Sequence, residues 1–296
     1  MKKSFASFYL TLGLVFAGSV VRAGTVMYVS NWEQSTIVKY DFSGGATVFA
    51  NSSSGLSGPE GLAMDSNSNL YVSSWGNNTI LKFDPSGNST VFASTGMDQP
   101  MGLAFDRNGN LYVANAGNGT ITKFDPAGNG STFGSGMNNP IDLAFDDVGN
   151  LYATDFWVNT IVKFDPSGHG TLFASNSLNE PFGLIFRHGT LYAANAVDNN
   201  VVQFDSSGNG SVFVSSGLNN PTGLAFDKAG NLYVGNYWAD YIEKYDSSGN
   251  GTLFANAGVS RPTHLLIVSD TPPGDGDDDH NGRRGHREHQ HGGPRH

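Results

Sequence analysis

The sequence predicts an all-β chain closed on itself as a six-bladed β-propeller, and three observations lead there. A proline-headed phrase recurs at Pro59, Pro100, Pro140, Pro181, Pro221 and Pro262, with spacings of 41, 40, 41, 40 and 41 residues. A period of that size marks a propeller or a solenoid. Each copy holds four short apolar runs divided by Gly, Pro, Asn and Asp turns, the pattern of one four-stranded blade. The two ends of the repeat region are complementary fragments of one more blade.

Taken in chain order, residues 1–23 read as a secretory signal peptide. Met1-Lys2-Lys3 supplies positive charge, a mostly apolar run extends from about Phe8 to Val21, and Val21-Arg22-Ala23 closes it with small residues where a signal peptidase cuts. The short two-lysine start has a bacterial form, so export to the periplasm or beyond is expected, with no membrane span after cleavage. The run is too short and too interrupted for a span, although an uncleaved anchor is the alternative. The exported domain is then residues 24–270.

Residues 26–50, VMYVSNWEQSTIVKYDFSGGATVFA, hold the second, third and fourth strands of a blade without a first. A whole copy follows five times. In residues 101–140 the runs are Gly102–Phe105, Leu111–Asn115, Thr120–Phe124 and Ser131–Gly134. The turn Asp125-Pro126-Ala127-Gly128-Asn129 suits a tight reversal, because Pro fixes φ and Gly or Asn accepts φ > 0. Residues 263–268, THLLIV, form a first strand with nothing after it. Joined to residues 26–50 it completes a sixth blade, blade one, and leaves no exposed terminal edge. From Thr271 to His296 the chain is almost free of apolar residues and is expected to be disordered. Its five histidines and Asp277, Asp278 and Asp279 make a weak ligand set for zinc, copper or nickel.

The phrase P-x-G-L-A-F-D-x-x-G-N-L-Y-V-A-N…T-I-x-K-F-D-P-x-G resembles the NHL repeat. It is also similar to the propeller group that holds the gluconolactonase/senescence-marker-protein family and the virginiamycin B lyases. The likeness spans about residues 25–268. It implies six blades but fixes no activity, since such propellers host hydrolases, lyases and binding modules.

Residues present in every blade are read as core. Tyr28, Tyr71, Tyr112, Tyr152, Tyr192 and Tyr233 share one position on the second strand, and Phe49, Phe92, Phe133, Phe173, Phe213 and Phe254 share one on the fourth. Asp84, Asp125, Asp165, Asp205 and Asp246 are turn formers. Function is expected where the blades differ. After the opening proline stand Glu60, Met101, Ile141, Phe182, Thr222 and Thr263. In the gluconolactonase-like family the matching positions carry a Glu, an Asn and an Asp that hold a divalent cation, so the resemblance implies calcium, zinc or manganese with Glu60 as a ligand. The Asn and Asp counterparts are missing here, and one carboxylate does not satisfy a hard cation. Asp142 and His264 replace glycine one position later. A contact between Glu60 and His264 is expected from their neighbouring blades, either as an acid/base pair or as a structural pair that helps clasp the ring.

The second variable place is the loop after the second strand. All four tryptophans lie there: Trp32 and Trp75, Trp157 beside Phe156, and Trp238 beside Tyr237. With Asn31, Asn115, Asp155, Asn195 and Asn236 they suit a rim surface for a small molecule, glycan or protein. Two other readings of these residues stand beside that one, aromatics capping gaps between blades and Asn or Asp capping a turn.

The other histidines, His169 and His188, fall in turns. Cysteine is absent, which excludes disulfides, thiolate zinc sites and a Cys nucleophile. The domain carries nine basic against 21 acidic residues, a net charge of −12, which argues against nucleic-acid partners. The expected function is an exported binding or scaffold module acting through the rim. The alternative is a divalent-metal lactonase or a lyase using the channel around Glu60.

Overall fold

The structure is a computed structural model that describes residues 24–268. The expected signal peptide and tail lie outside the described residues. The described chain contains six four-stranded antiparallel sheets. Blade one joins the inner strand Pro262–Val268 to Val26–Asn31, Thr36–Asp41 and Ala46–Ala50, so the composite blade forms as the sequence predicts. The inner strands of blades two to six are Pro59–Met64, Pro100–Phe105, Pro140–Phe145, Pro181–Arg187 and Pro221–Phe226. Each inner strand pairs with one partner only, and its other edge lines the central channel. Among the described residues no helix is long and apolar enough to cross a membrane.

The repeated aromatics hold each blade together. Tyr71 meets Phe92 edge-on at 5.0 Å, and the same pair recurs in all six blades, from Tyr28–Phe49 to Tyr233–Phe254. Each such pair adds about 0.5–1.5 kcal/mol to the burial of its rings. The same tyrosines reach the next blade, as Tyr71 does to Phe105 at 5.0 Å. On the outward side a lysine covers the ring, as Lys82 does over Tyr71 at 5.2 Å. Equivalent lysines lie over Tyr28, Tyr112, Tyr152 and Tyr233. The turn aspartates act as expected: Asp125 Oδ1 accepts the N–H groups of Ala127 and Asn129, both at 2.9 Å.

Closer to the axis the blades meet through backbone and hydroxyl groups. In blade two Pro59 faces Ser74 and Leu62 faces Val72, with a register shift between them that leaves Glu60 and Gly61 out of the ladder. Ser73 serves the orphaned groups. Its Oγ accepts the Gly61 N–H at 2.7 Å and donates to the Met101 carbonyl of blade three. Thr154 makes the same relay from Asp142 N–H at 3.0 Å to the Phe182 carbonyl at 2.9 Å, and Ser30 donates to the Glu60 carbonyl. In blade six the position is Gly235, and Thr222 on the inner strand instead donates to the Pro262 carbonyl at 2.6 Å.

The glycine after Glu60 is required by this close approach. A Cβ on Gly61 would strike the Met101 carbonyl and come within 2.8 Å of Leu103 N and 2.9 Å of Gly102 Cα, all of them backbone. Gly61→Ala is therefore expected to destabilise the domain by more than about 2 kcal/mol. Gly96→Ala, at φ +75° with nothing within 4 Å of its Cβ, should cost only about 1 kcal/mol of backbone strain. Urea denaturation of the two variants checks the difference, and equal losses would contradict the packing argument.

Candidate functional site

The loops that follow the second strands and those that precede the inner strands emerge on one face, here the rim face, as the pairing of Pro59 with Ser74 requires. Just inside it lie Glu60, Met101, Ile141 and Phe182, around a cavity of about 10 Å³ shared with Asp142, Thr263 and His264. That volume holds one water at most. Glu60 is only 7 % exposed. Burial pushes its carboxyl up to about 8, opposed by a hydrogen bond with the Thr263 side chain. The Thr263 hydroxyl has one proton, and it is directed to the Pro59 carbonyl at 3.1 Å. While that proton serves Pro59 it does not serve Glu60, which weakens the lowering effect of Thr263 and leaves burial dominant.

Asp142 and His264 do converge, although His264 does not pair with Glu60 as expected. Blades one and four face each other across the ring, and His264 Nδ1 lies 3.9 Å from Asp142 Oδ1. Asp142 is held there by the backbone: Oδ1 accepts from Leu143 N–H at 2.9 Å, and Oδ2 accepts from Leu184 N–H of blade five at 2.8 Å. Burial is the largest influence on its carboxyl and raises its pKa, against the lowering effects of His264 and these two N–H groups. The other copies carry glycine at this level, so these two side chains bridge an otherwise open channel.

On the rim face the aromatics divide into two groups. Ring closure sets blade six beside blade one, so Tyr237, Trp238, Trp32 and Trp75 form an arc over three successive blades. Trp32 and Trp75 meet at 6.3 Å and Tyr237 and Trp238 at 4.8 Å. Arg261, the residue before the inner strand of blade one, stands over Tyr237 at 5.7 Å and Trp238 at 5.3 Å and pairs with Glu33 at 3.6 Å. Opposite the arc, Phe156 packs against Phe182 at 6.3 Å and belongs with Met101 and Ile141 in an apolar wall. Trp157, 69 % exposed, projects beyond it. Trp75 packs on the same wall from the arc side, so Phe156 and Trp75 are both half-buried between core and rim. The sequence reading missed Arg261 and Glu33. The signal for Arg261 was its place before Pro262, where the other copies carry no basic residue.

Asn31, Asn115, Asp155, Asn195 and Asn236 are fully or almost fully buried, and in place of the ligand contacts expected of them they hold loops. Asp155 accepts the N–H groups of Asn138 and Asn139, both at 2.8 Å. Asn31 donates to the Gly258 carbonyl and accepts from Ser260 N–H. Asn115, Asn195 and Asn236 accept from Asp98, Asn179 and Asn219 in the same way. Each bond ties the loop before an inner strand to the end of the second strand of its own blade. His169 and His188 are exposed turn residues.

The donors around Glu60 do not fit a divalent cation. Hard cations take about six oxygen ligands, but the neighbours of Glu60 at its level include Met101, Ile141 and Phe182. Both Asp142 oxygens are already committed to N–H groups. Among the described residues no three His, Asp or Glu side chains form a metal-binding group.

The fold and this face define a six-bladed β-propeller with one variable, loop-built surface. A family described as SMP-30/Gluconolactonase/LRE-like region matches residues 19–92. Among solved structures, the chain is similar to one in a nidogen/laminin complex, with 20 % identity, a TM-score of 0.74, and coverage of 82 % of this chain and 98 % of that one. A gluconolactonase from Xanthomonas campestris is similar at 20 % identity and a TM-score of 0.63, over 71 % of this chain and 82 % of that one. A catalytically inactive virginiamycin B lyase from Staphylococcus aureus with quinupristin is similar at 15 % identity and a TM-score of 0.64, over 85 % of this chain and 94 % of that one. At these identities the likeness establishes the fold. No curated protein matches the chain.

Glu60 gives a pH test. An acid whose folded pKa is raised stays protonated in the fold while the unfolded chain ionises. Its stabilising share is complete below pH 4.5 and is lost as the pH rises toward 8. Glu60→Gln removes that dependence. The variant should nearly match the parent at pH 5 and exceed it by on the order of 3 kcal/mol at pH 8. Denaturation at both pH values reads this directly, and a gap that does not widen with pH would refute the raised pKa.

Proposed function

We propose that the protein is an exported binding module whose ligand meets the aromatic arc of Trp32, Trp75, Tyr237 and Trp238 on the rim face. The observation that carries this reading is the contrast on that face. The channel mouth beside Glu60 narrows to a cavity of about 10 Å³, so a substrate would reach Glu60 only if Met101, Ile141 or Phe182 moved aside. The arc extends over three blades beside a fixed Arg261–Glu33 pair. Aromatic faces flanked by a guanidinium and a carboxylate suit a partner with a flat apolar face and polar edges, whether small molecule, glycan or protein. The similar chain from the nidogen/laminin complex is consistent with a propeller that works by association.

Trp32→Ala with Trp75→Ala is expected to weaken binding to responsive glycans, peptides or envelope fractions by about 10–100-fold. Trp157→Ala, outside the arc, should leave binding unchanged. Biolayer interferometry on the parent and both variants checks this. Unchanged binding by the double variant would end the arc reading, and cell fractionation tests export.

One observation favours the enzymatic reading. A buried carboxyl raised to about 8 is suited to proton transfer, as lactone hydrolysis or a lyase elimination requires. Because the donor set does not fit calcium, zinc or manganese, this reading has Glu60 acting as an acid without metal. Lactone turnover by the purified protein that disappears in Glu60→Gln would favour it over the binding module.

A further inference from the structure

Below the Asp142–His264 bridge, on the face opposite the aromatic arc, the channel widens into a chamber of about 290 Å³. At about 30 Å³ per liquid water this has room for roughly ten waters, close to the lower end of ordinary ligand sites. Its inner end is His264, and Leu62, Leu103, Leu143, Leu184, Leu224 and Leu265 surround it at one level. The inner strands turn their unpaired edges toward it, so backbone N–H and C=O groups stand beside the apolar wall.

The mouth of the chamber is where the repeat breaks. In blades two, three, four and six an aspartate directly follows the inner strand, Asp65, Asp106, Asp146 or Asp227, and accepts a hydrogen bond from the blade's tyrosine hydroxyl. The facing lysines are Lys82, Lys123, Lys163 and Lys244. In blade five the aspartate is replaced by Arg187 and the lysine by Gln203. Arg187 stacks on Phe226 at 5.0 Å and spends one donor on the Asp227 carbonyl at 3.0 Å, which fixes its head at the mouth. His188 and Lys228 line the same mouth. The nearby Asp227 carboxylate is taken up by Asn231 and Tyr233. A domain of net charge −12 thus gathers two of its nine Lys and Arg residues at the opening of this chamber.

We propose that the lower chamber is a binding site for a small hydroxylated organic carboxylate. Its carboxylate would lie at Arg187 and Lys228, and its hydroxyl groups against the strand edges. This site is separate from the aromatic arc and does not rest on it.

The test is isothermal titration of the full chain with malate, with butane-1,2,4-triol as the uncharged analogue. One malate per chain should bind, and the triol should not. Arg187→Gln should weaken binding by about tenfold. Lys228→Gln, at an exposed position, should weaken it by a smaller factor. Trp32→Ala with Trp75→Ala should have no effect. NMR of the imidazoles should show His264 moving with malate while His169 stays fixed. No heat at about 10 mM malate, which leaves at most millimolar affinity, equal binding of the triol, or affinity unchanged in both cation variants would each overturn the proposal.

Discussion

At the level of Gly61, Gly102, Gly183 and Gly223, the backbone of each following blade occupies the space that a side chain would need. This approach sets the geometry of the ring. Peptide groups at such short range need partners, and the register shift after each proline removes the ladder that would supply them. Ser30, Ser73, Thr154 and Thr222 restore the bonds and at the same time link one blade to the next. A small residue on one strand and a hydroxyl on its neighbour thus work as a single device. The same device leaves the channel narrow, so two side chains, Asp142 and His264, are enough to bridge it.

The outer packing follows from the wedge shape that this inner contact imposes. Blades that touch at the axis spread apart outward, and the widening gap is filled by rings. Tyr on the second strand meets Phe on its own outer strand and Phe on the next inner strand, and lysines cover the outward ring faces. Five of the nine Lys and Arg residues of the domain are used in this way. The strongly acidic balance therefore leaves little cationic surface, which gives weight to the places where Arg187, Lys228 and Arg261 stand.

Much of this was legible in the sequence because packing repeats with the blade. The proline period, the Tyr and Phe positions, the turn aspartates and the composite blade all follow from one steric unit used six times. Contacts that cross the repeat were harder to read. Glu60 and His264 lie on neighbouring blades and invited a pairing, but the His264 side chain reaches across the channel to the opposite blade, so Asp142 is the partner. Asn115 and Asn236 misled for a different reason. A carboxamide at a strand end has the same sequence pattern whether it holds a loop or a ligand, and only burial separates the two. The rim aromatics were legible, but not their division into an arc and an opposite wall or the place of Arg261 and Glu33 beside the arc, because these depend on contacts between loops of different blades.

The bridge between Asp142 and His264 gives the departures from the repeat a common arrangement. Glycine at both positions would keep the channel continuous between the two faces. With a carboxylate anchored to two N–H groups on one side and an imidazole on the other, the axis is divided. Above the bridge, burial keeps Glu60 protonated and apolar residues fill the layer, so recognition on that face moves outward to the loops. Below it, the channel continues past the ring of leucines as a chamber, and the one blade that exchanges its aspartate for arginine opens onto it. The division follows from where the two side chains stand, because two backbone N–H groups from different blades fix the Asp142 carboxyl in the channel.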